Sequence, residues 1–224
     1  MVSFFNPLRL EQQSIHDALH QAQEFFEGML LDLGCGEQPY LSLIQAKSRR
    51  YVGVDHNTSY KKPPDVCADS LRLPFKDNTF DTVLSTQVIE HVTSPFEMIR
   101  EAVRILKPGG HLVLTAPQVW PLHEEPNDYF RYTKYGLEAL AEASNLKVVY
   151  IRERGGGIIA IGQLIGTILH DKFGKHLITR LPMKLILAPC LWLCKLADRL
   201  SYYPKLTLGY IMVARKSGAS GNYE

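Results

Sequence analysis

The chain has 224 residues, 46% apolar and 21% charged, ordinary proportions for a water-soluble globular fold. Its 25 Lys and Arg face 23 Asp and Glu, a net charge of +2 that argues against a nucleic-acid partner. Cys35, Cys67, Cys190 and Cys194 form no CxxC pair, which argues against a disulfide framework or a structural zinc. The opening MVSFFNPLRLEQQS has no basic stretch ahead of an apolar core, so no secretory signal is read and a cytoplasmic location is expected. One domain over residues 1–216 is expected, with 217–224 as a flexible tail.

In chain order, Ile15, Leu19, Ala22 and Phe26 recur at helical spacing and predict an amphipathic helix over 10–26, ended by Gly28. Short apolar strands follow: MLLDL at 29–33, YVGVD at 51–55, DVCAD at 65–69, FDTVLST at 80–86 and HLVLTA at 111–116. Ser94, Pro95 and Glu97 form a capping-box pattern, which starts a helix with Phe96, Ile99, Val103 and Leu106 inward. Lys107-Pro108-Gly109-Gly110 stops it. Thr133 precedes a further helix whose left-handed cap is Asn145. LKVVYIRE at 146–153 and TLGYIMVAR at 207–215 are two late strands. Strands buried on both faces and separated by helices predict a doubly wound α/β sheet.

Residues 155–206 stand apart, with seven Lys and Arg against two Asp and the longest apolar runs of the chain. Neither run reaches the about 20 residues that span a bilayer. A helical insertion is expected here, before the last strand. Three readings of it stay open: helices packed on the sheet as core, a hydrophobic pocket or lid for a lipid-like or aromatic molecule, and a basic apolar patch in peripheral membrane contact. In 181–200 the polar Lys184, Lys195, Asp198 and Arg199 fall on one narrow stripe.

The first strand runs into Asp32-Leu33-Gly34-Cys35-Gly36, whose glycines permit a sharp turn and close approach of a ligand to main-chain N–H groups. Pro39 stands where a dinucleotide fingerprint has its third glycine, so a pyrophosphate and a nicotinamide oxidoreductase are disfavoured. Asp32 beside the loop would repel a phosphate and suits an ammonium group. Asp55 ends the second strand, 19 residues past Gly36, where a carboxylate can accept from both ribose hydroxyls. A cationic nucleoside without phosphate fits this set, and S-adenosylmethionine is such a molecule.

LLDLGCG, VGVD, CADSLRLPFKDNTFD, TQVIEHV and LKPGGHLVLTAP, in this order, resemble the class I S-adenosylmethionine-dependent methyltransferases of the small stand-alone bacterial type. The resemblance implies a Rossmann-like sheet of seven strands whose last runs antiparallel. It implies that Asp32, Gly34 and Gly36 meet the methionine and ribose portion, that Asp55 takes the ribose and that His56 flanks the adenine. Asp69 resembles the acid that accepts from the adenine amino group, Ser70 offers backbone contact, and Gln87 lies beneath the methionine end. A catalytically silent module that binds S-adenosylmethionine on the same fold is the alternative to an enzyme.

Alignment of acceptor and methyl group dominates such chemistry, and a hydroxyl or protonated amine also needs a base. Two candidates stand at carboxyl ends of strands: His91, and His123 in the polar-aromatic loop after the fifth strand. Asp128, Tyr129, Arg131 and Tyr132 in that loop are candidates for acceptor recognition, with an internal Asp128–Arg131 ion pair as the competing reading. His123, Glu124 and Glu125 are adjacent rather than face-matched, so no metal is expected. The resemblance of the loop points to a small or medium non-protein acceptor, such as a saccharide, a lipid-like molecule or a secondary metabolite, methylated on O or N.

Overall fold

A computed structural model describes residues 8–173 and 177–218, the side chains of 177–184 excepted. Its strands are β1 (Met29–Leu33), β2 (Arg50–Asp55), β3 (Val66–Cys67), β4 (Phe80–Thr86), β5 (Leu106–Pro117), β6 (Leu146–Glu153) and β7 (Gly209–Lys216). Its helices are α1 (Arg9–Gln21), α2 (Leu41–Gln45), α3 (Pro95–Ile105), α4 (Lys134–Ala143), α5 (Gly157–Phe173) and α6 (Leu177–Leu200). The strands form one sheet in the order β3-β2-β1-β4-β5-β7-β6, and β7 lies antiparallel between β5 and β6. The doubly wound, seven-stranded, mostly parallel architecture is therefore present, with two helices between β6 and β7.

Alternation along the strands builds two cores. Leu31, Leu112, Leu114 and Met212 face Ile99, Ile105, Leu137 and Leu140 of α3 and α4. Their neighbours Leu30, Val113, Ile211 and Val213 face Ile15, Leu19 and Ile44 of α1 and α2. Because both faces are covered, the strands read as continuous apolar runs, and β1, β4 and β6 match the sequence expectation. β3 is shorter than expected because it is an edge strand, paired to β2 only at Val66 and Cys67. β5 begins at Leu106 and takes the Lys-Pro-Gly-Gly stretch into the sheet, with Gly109 at φ +81°. α1 ends at Gln21, and one tighter turn over Gln23–Phe25 completes the predicted segment.

Thr133 caps α4 as expected, its hydroxyl accepting from Gly136 N–H at 3.1 Å, and Asn145 adopts φ +56°. The capping box at Ser94 does not form. Its side chain makes no cap bond, and its carbonyl oxygen instead accepts from Glu97 and Met98 N–H. Two other helix starts are capped from a distance. Asp198 of α6, buried rather than on a solvated stripe, accepts from Gly156, Ile158 and Ile159 N–H at the start of α5. Gln163 of α5 accepts from Leu10 and Glu11 N–H at the start of α1. Orphan donors of the first helical turn are thus satisfied between elements rather than locally.

Arg154, which follows β6, is fully buried. Its guanidinium donates to Glu11 at 2.9 Å, to the Ser14 hydroxyl at 3.1 Å and to the Gln87 side-chain carbonyl at 3.3 Å. One cation therefore ties α1, the end of β4 and the start of the helical insertion. Removing one partner of such a buried pair strands the other charge in a dry site. Arg154→Met is expected to lower unfolding free energy in urea by about 3 kcal/mol, and adding Glu11→Gln to recover part of the loss. An unchanged urea midpoint in the single variant would show that the pair contributes nothing.

Candidate functional site

β1, β2 and β4 are parallel, so their carboxyl ends open on one edge, and the winding reverses between β1 and β4. Reversal leaves a crevice there, because the loops after the two strands diverge. Gly34 and Gly36 follow β1 at φ +74° and +50°. A Cβ on Gly34 would strike Val88, whereas one on Gly36 would enter open space. Only glycine meets both demands at Gly34, positive φ and contact with the loop after β4. The amides of Gly34 and Cys35 both donate to Val54 carbonyl, at 2.8 and 3.0 Å, and pin the loop to β2.

Asp55, at the end of β2, is 6% exposed. Its Oδ2 accepts from Gly36 N–H at 3.0 Å and its Oδ1 from Asn57 N–H at 2.9 Å. Each carboxylate oxygen retains a further lone pair, so a fixed double acceptor stands at the crevice. The cleft holds about 430 Å³ and is lined by Gly34, Asp55, His56, Asp69 and Ser70 on one side, and by His91, Glu124, Asn127 and Tyr129 on the other. Leu33, Val54, Ala68, Leu71, Val88 and Val92 supply apolar walls. That volume lies in the range of small-molecule sites, about 300–1,000 Å³.

His56 is largely exposed at the rim, its Nδ1 3.4 Å from Asp55 Oδ1. Asp69 accepts from Leu71 N–H through Oδ1 at 2.9 Å, closing a local turn as well as lining the cleft. Asp32 lies off the lining, 2% exposed. Tyr51 hydroxyl donates to its Oδ2 at 2.8 Å, and its Oδ1 accepts no hydrogen bond. Burial pushes its pKa up to about 7, opposed by the Tyr51 bond and helped by nearby Asp55. Gln87, at φ +54°, donates to the Thr115 hydroxyl at 3.0 Å and accepts from Arg154, so its amide is held within the protein rather than in the cleft lining.

The loop after β5 departs most from expectation. Asp128 and Arg131 form a two-pronged pair, with Nη1–Oδ1 and Nη2–Oδ2 both at 2.7 Å. Arg131 also donates to the carbonyls of Trp120 and Pro121, and its guanidinium holds the Asp128 carboxyl well below the usual carboxylate range. These two residues brace the loop in the internal ion pair that was the competing expectation, and neither lines the cleft. Tyr132 is also off the lining: it is 7% exposed in the core, its hydroxyl donating to Ile89 carbonyl at 3.3 Å. Tyr129, 44% exposed, does line the cleft.

Sequence separation of 32 residues hides the closest grouping. His91 and His123 rings meet edge to face at 4.6 Å between centroids. His91 lines the cleft, while His123 sits behind it, with Nδ1 3.2 Å from Asp128 Oδ2. Glu90, passed over in the sequence reading, is fully buried, and its carboxylate accepts no hydrogen bond from another residue. Burial pushes its pKa up to about 8. Ligand atoms of Glu90, His91 and His123 all lie within 4.8 Å of one another. A buried Glu next to a His in the TQVIEHV stretch was the available signal.

The helical insertion does not close this site. Among the described residues, no lining residue of the cleft belongs to 155–206. α5 and α6 pack on each other and, through Leu187, Leu191 and Ile159, on Leu10 of α1. Their outer faces expose Ile161, Ile165 and Ile168, and Ile186, Trp192 and Leu193. No helix among the described residues is long and apolar enough to cross a membrane.

Residues 31–114, which carry the glycine loop, Asp55, Asp69 and the Glu90-His91 pair, match the family model of a methyltransferase domain. An uncharacterized protein of Methanocaldococcus jannaschii is 31% identical over 67% of this chain and 68% of its own. The 27-O-demethylrifamycin SV methyltransferase of Amycolatopsis mediterranei is 29% identical over 66% of this chain, which spans about half (51%) of that protein. Phosphoethanolamine N-methyltransferase 2 of Haemonchus contortus, solved in complex with S-adenosyl-L-methionine, has the same fold with a TM-score of 0.58 at 17% identity, over 91% of this chain and 52% of that one. A crevice with a carboxylate fixed at the end of β2, and the matching sequence around it, place the chain in the class I S-adenosylmethionine-dependent methyltransferase family.

Proposed function

We propose that the protein transfers the methyl group of S-adenosylmethionine to an oxygen or nitrogen of a small or medium-sized non-protein acceptor. One observation carries this reading: a single cleft runs from the fixed carboxylate of Asp55 to the imidazole of His91. Asp55 accepts from the ribose hydroxyls, Gly36 leaves room for the donor, and Asp69 with Ser70 borders the adenine beside His56. Gln87 stays beneath the methionine end, held by Thr115 and Arg154. The free Oδ1 of Asp32 is the group left for the donor's ammonium.

The acceptor enters past Tyr129 and Glu124. Its lone pair attacks the methyl carbon as the carbon–sulfur bond breaks, and the bonding electrons neutralise the sulfonium. The acceptor proton leaves toward the His91–His123 pair, so positioning and deprotonation share one end of the cleft. His91 is the member that reaches the cleft, and His123 is the residue that positions it. The 27-O-demethylrifamycin SV methyltransferase, by its name, modifies an oxygen of a secondary metabolite, which supports an acceptor of that class here.

A second reading concerns the insertion. Its outward Ile186, Leu193, Leu196 and Leu200, together with exposed Lys172, Arg199 and Lys205, suit an anionic membrane surface rather than water. A lipid-like acceptor would then be met where it resides.

Calorimetry with S-adenosylhomocysteine tests the donor site. Asp55→Ala is expected to weaken binding about 30-fold, the loss of two charge-assisted hydrogen bonds worth about 2 kcal/mol; unchanged affinity would refute the ribose assignment. His91→Ala is expected to lower turnover at least 100-fold with that affinity unchanged, the usual scale for a lost proton acceptor. A fully active variant would remove the pair from the chemistry. Flotation with phosphatidylglycerol vesicles is expected to carry the protein and to fail for a variant with Ile186, Leu193 and Leu196 all changed to Ser. Equal flotation of both would end the membrane reading.

A further inference from the structure

We infer that Glu90, His91 and His123 form a binding site for one divalent first-row transition-metal ion at the acceptor end of the cleft. This deepens the proposed methyl transfer and rests on it, by naming what activates the acceptor. The expectation of no metal came from His123 and its sequence neighbours alone. The fold instead pairs His123 with two residues on the far side of the cleft's edge.

The first argument is the state of Glu90. It is completely inaccessible to solvent, and neither carboxylate oxygen accepts a hydrogen bond from another residue. A buried carboxylate in that condition is costly, and a protonated one would equally need an acceptor for its hydrogen. His91 Nε2 stands 3.9 Å from Glu90 Oε1, too far for a hydrogen bond. A cation between them supplies what the protein does not.

The second argument is the orientation of the imidazoles. His91 Nδ1 lies 2.6 Å from Asn127 carbonyl oxygen, which can only accept, so this nitrogen carries the proton and Nε2 carries the lone pair. His123 Nδ1 lies 3.2 Å from Pro121 carbonyl oxygen and 3.2 Å from Asp128 Oδ2, with the same consequence. Both histidines thus have their outer nitrogen fixed by an acceptor, the support that metal-bound histidines characteristically receive. The Asp128–Arg131 pair then acts at the site after all, as the anchor that orients His123.

Two imidazoles and one carboxylate suit zinc, manganese or iron(II) better than magnesium or calcium. Around an ion with bonds of about 2.1 Å, neighbouring ligand atoms stand about 3.4 Å apart, so binding draws the three inward. Glu124, whose Oε2 is 4.0 Å from His91 Nε2, can join from the exposed side. His91 also lines the cleft, so an ion held by these residues would border the space open to the acceptor. With both Nε2 lone pairs on the ion, His91 would act on the acceptor through the metal and not as a free base: a hydroxyl bound there would lose its proton to water more readily, and its oxygen would attack the methyl carbon as an alkoxide or phenoxide.

The full chain, stripped with EDTA and titrated with ZnCl2 and with MnCl2, is expected to bind one ion per chain. Elemental analysis after gel filtration should give a stoichiometry near one. Glu90→Gln and His123→Ala should each weaken binding at least 100-fold, while exposed His16→Ala should not. S-adenosylhomocysteine affinity is read in parallel. If it persists while neither ion binds the wild-type chain more tightly than both variants, the metal site is refuted and the donor reading stands. If it is absent, the donor reading fails by itself. Folding of each variant is checked by melting. If one variant unfolds, the other still decides the outcome.

Discussion

The reversal of winding between β1 and β4 is the constraint on which the site depends. Parallel strands deliver their loops to one edge, and at this point alone the loops on either side turn away from each other. Gly34 and His91 follow β1 and β4 and Asp55 ends β2, yet they border one cleft because of that geometry. The glycine loop is fixed by amides bonded to Val54, and Asp55 by Gly36 and Asn57. Recognition groups that are already hydrogen-bonded lose little freedom when a ligand arrives. The donor side of the cleft is built in this pre-set manner.

Helix termini supply a second order of constraint. α1 and α5 begin without a local side-chain cap, and each borrows one from another helix, Gln163 for the first and Asp198 for the second. Arg154 adds a buried cation shared by α1 and by Gln87 after β4. The insertion is therefore not a loose appendage: its helix starts, its apolar seam through Leu10 and its buried charges all run into α1. Among the described residues, its outer face leaves Ile161, Ile186, Trp192 and Leu193 exposed.

Legibility in the sequence followed the range of the interactions. β1, β4 and β6 were readable because burial on both faces imposes continuous apolar runs, and Gly34, Asp55 and Asp69 because the fold fixes their offsets along the chain. Ser94 shows the limit of a local pattern, since the capping box is spelled out but the backbone carbonyl does the work. α2, only five residues long, left no period to detect. Tyr132 looked like a recognition residue in a polar loop, yet its ring fills the core beside Ile89. Glu90 next to His91 was in plain view, but its meaning depends on burial and on His123. No spacing rule links residues across the sheet edge.

The loop after β5 reconciles two demands that usually conflict. A recognition loop gains from tolerance to change, whereas groups that act on an acceptor must be held closely. Here the rigid part and the variable part are separated by residue. Arg131 donates to the carbonyls of Trp120 and Pro121 and to Asp128, whose carboxylate also accepts from His123 N–H, and the Tyr132 hydroxyl donates to Ile89 carbonyl. Leu122, Tyr129 and Phe130 stay exposed on the same backbone. His123 is held through Asp128, which accepts from its N–H at 3.1 Å, rather than through those exposed side chains. The braced residues and the exposed ones are thus different side chains of one loop, and of the three exposed ones Tyr129 reaches the cleft.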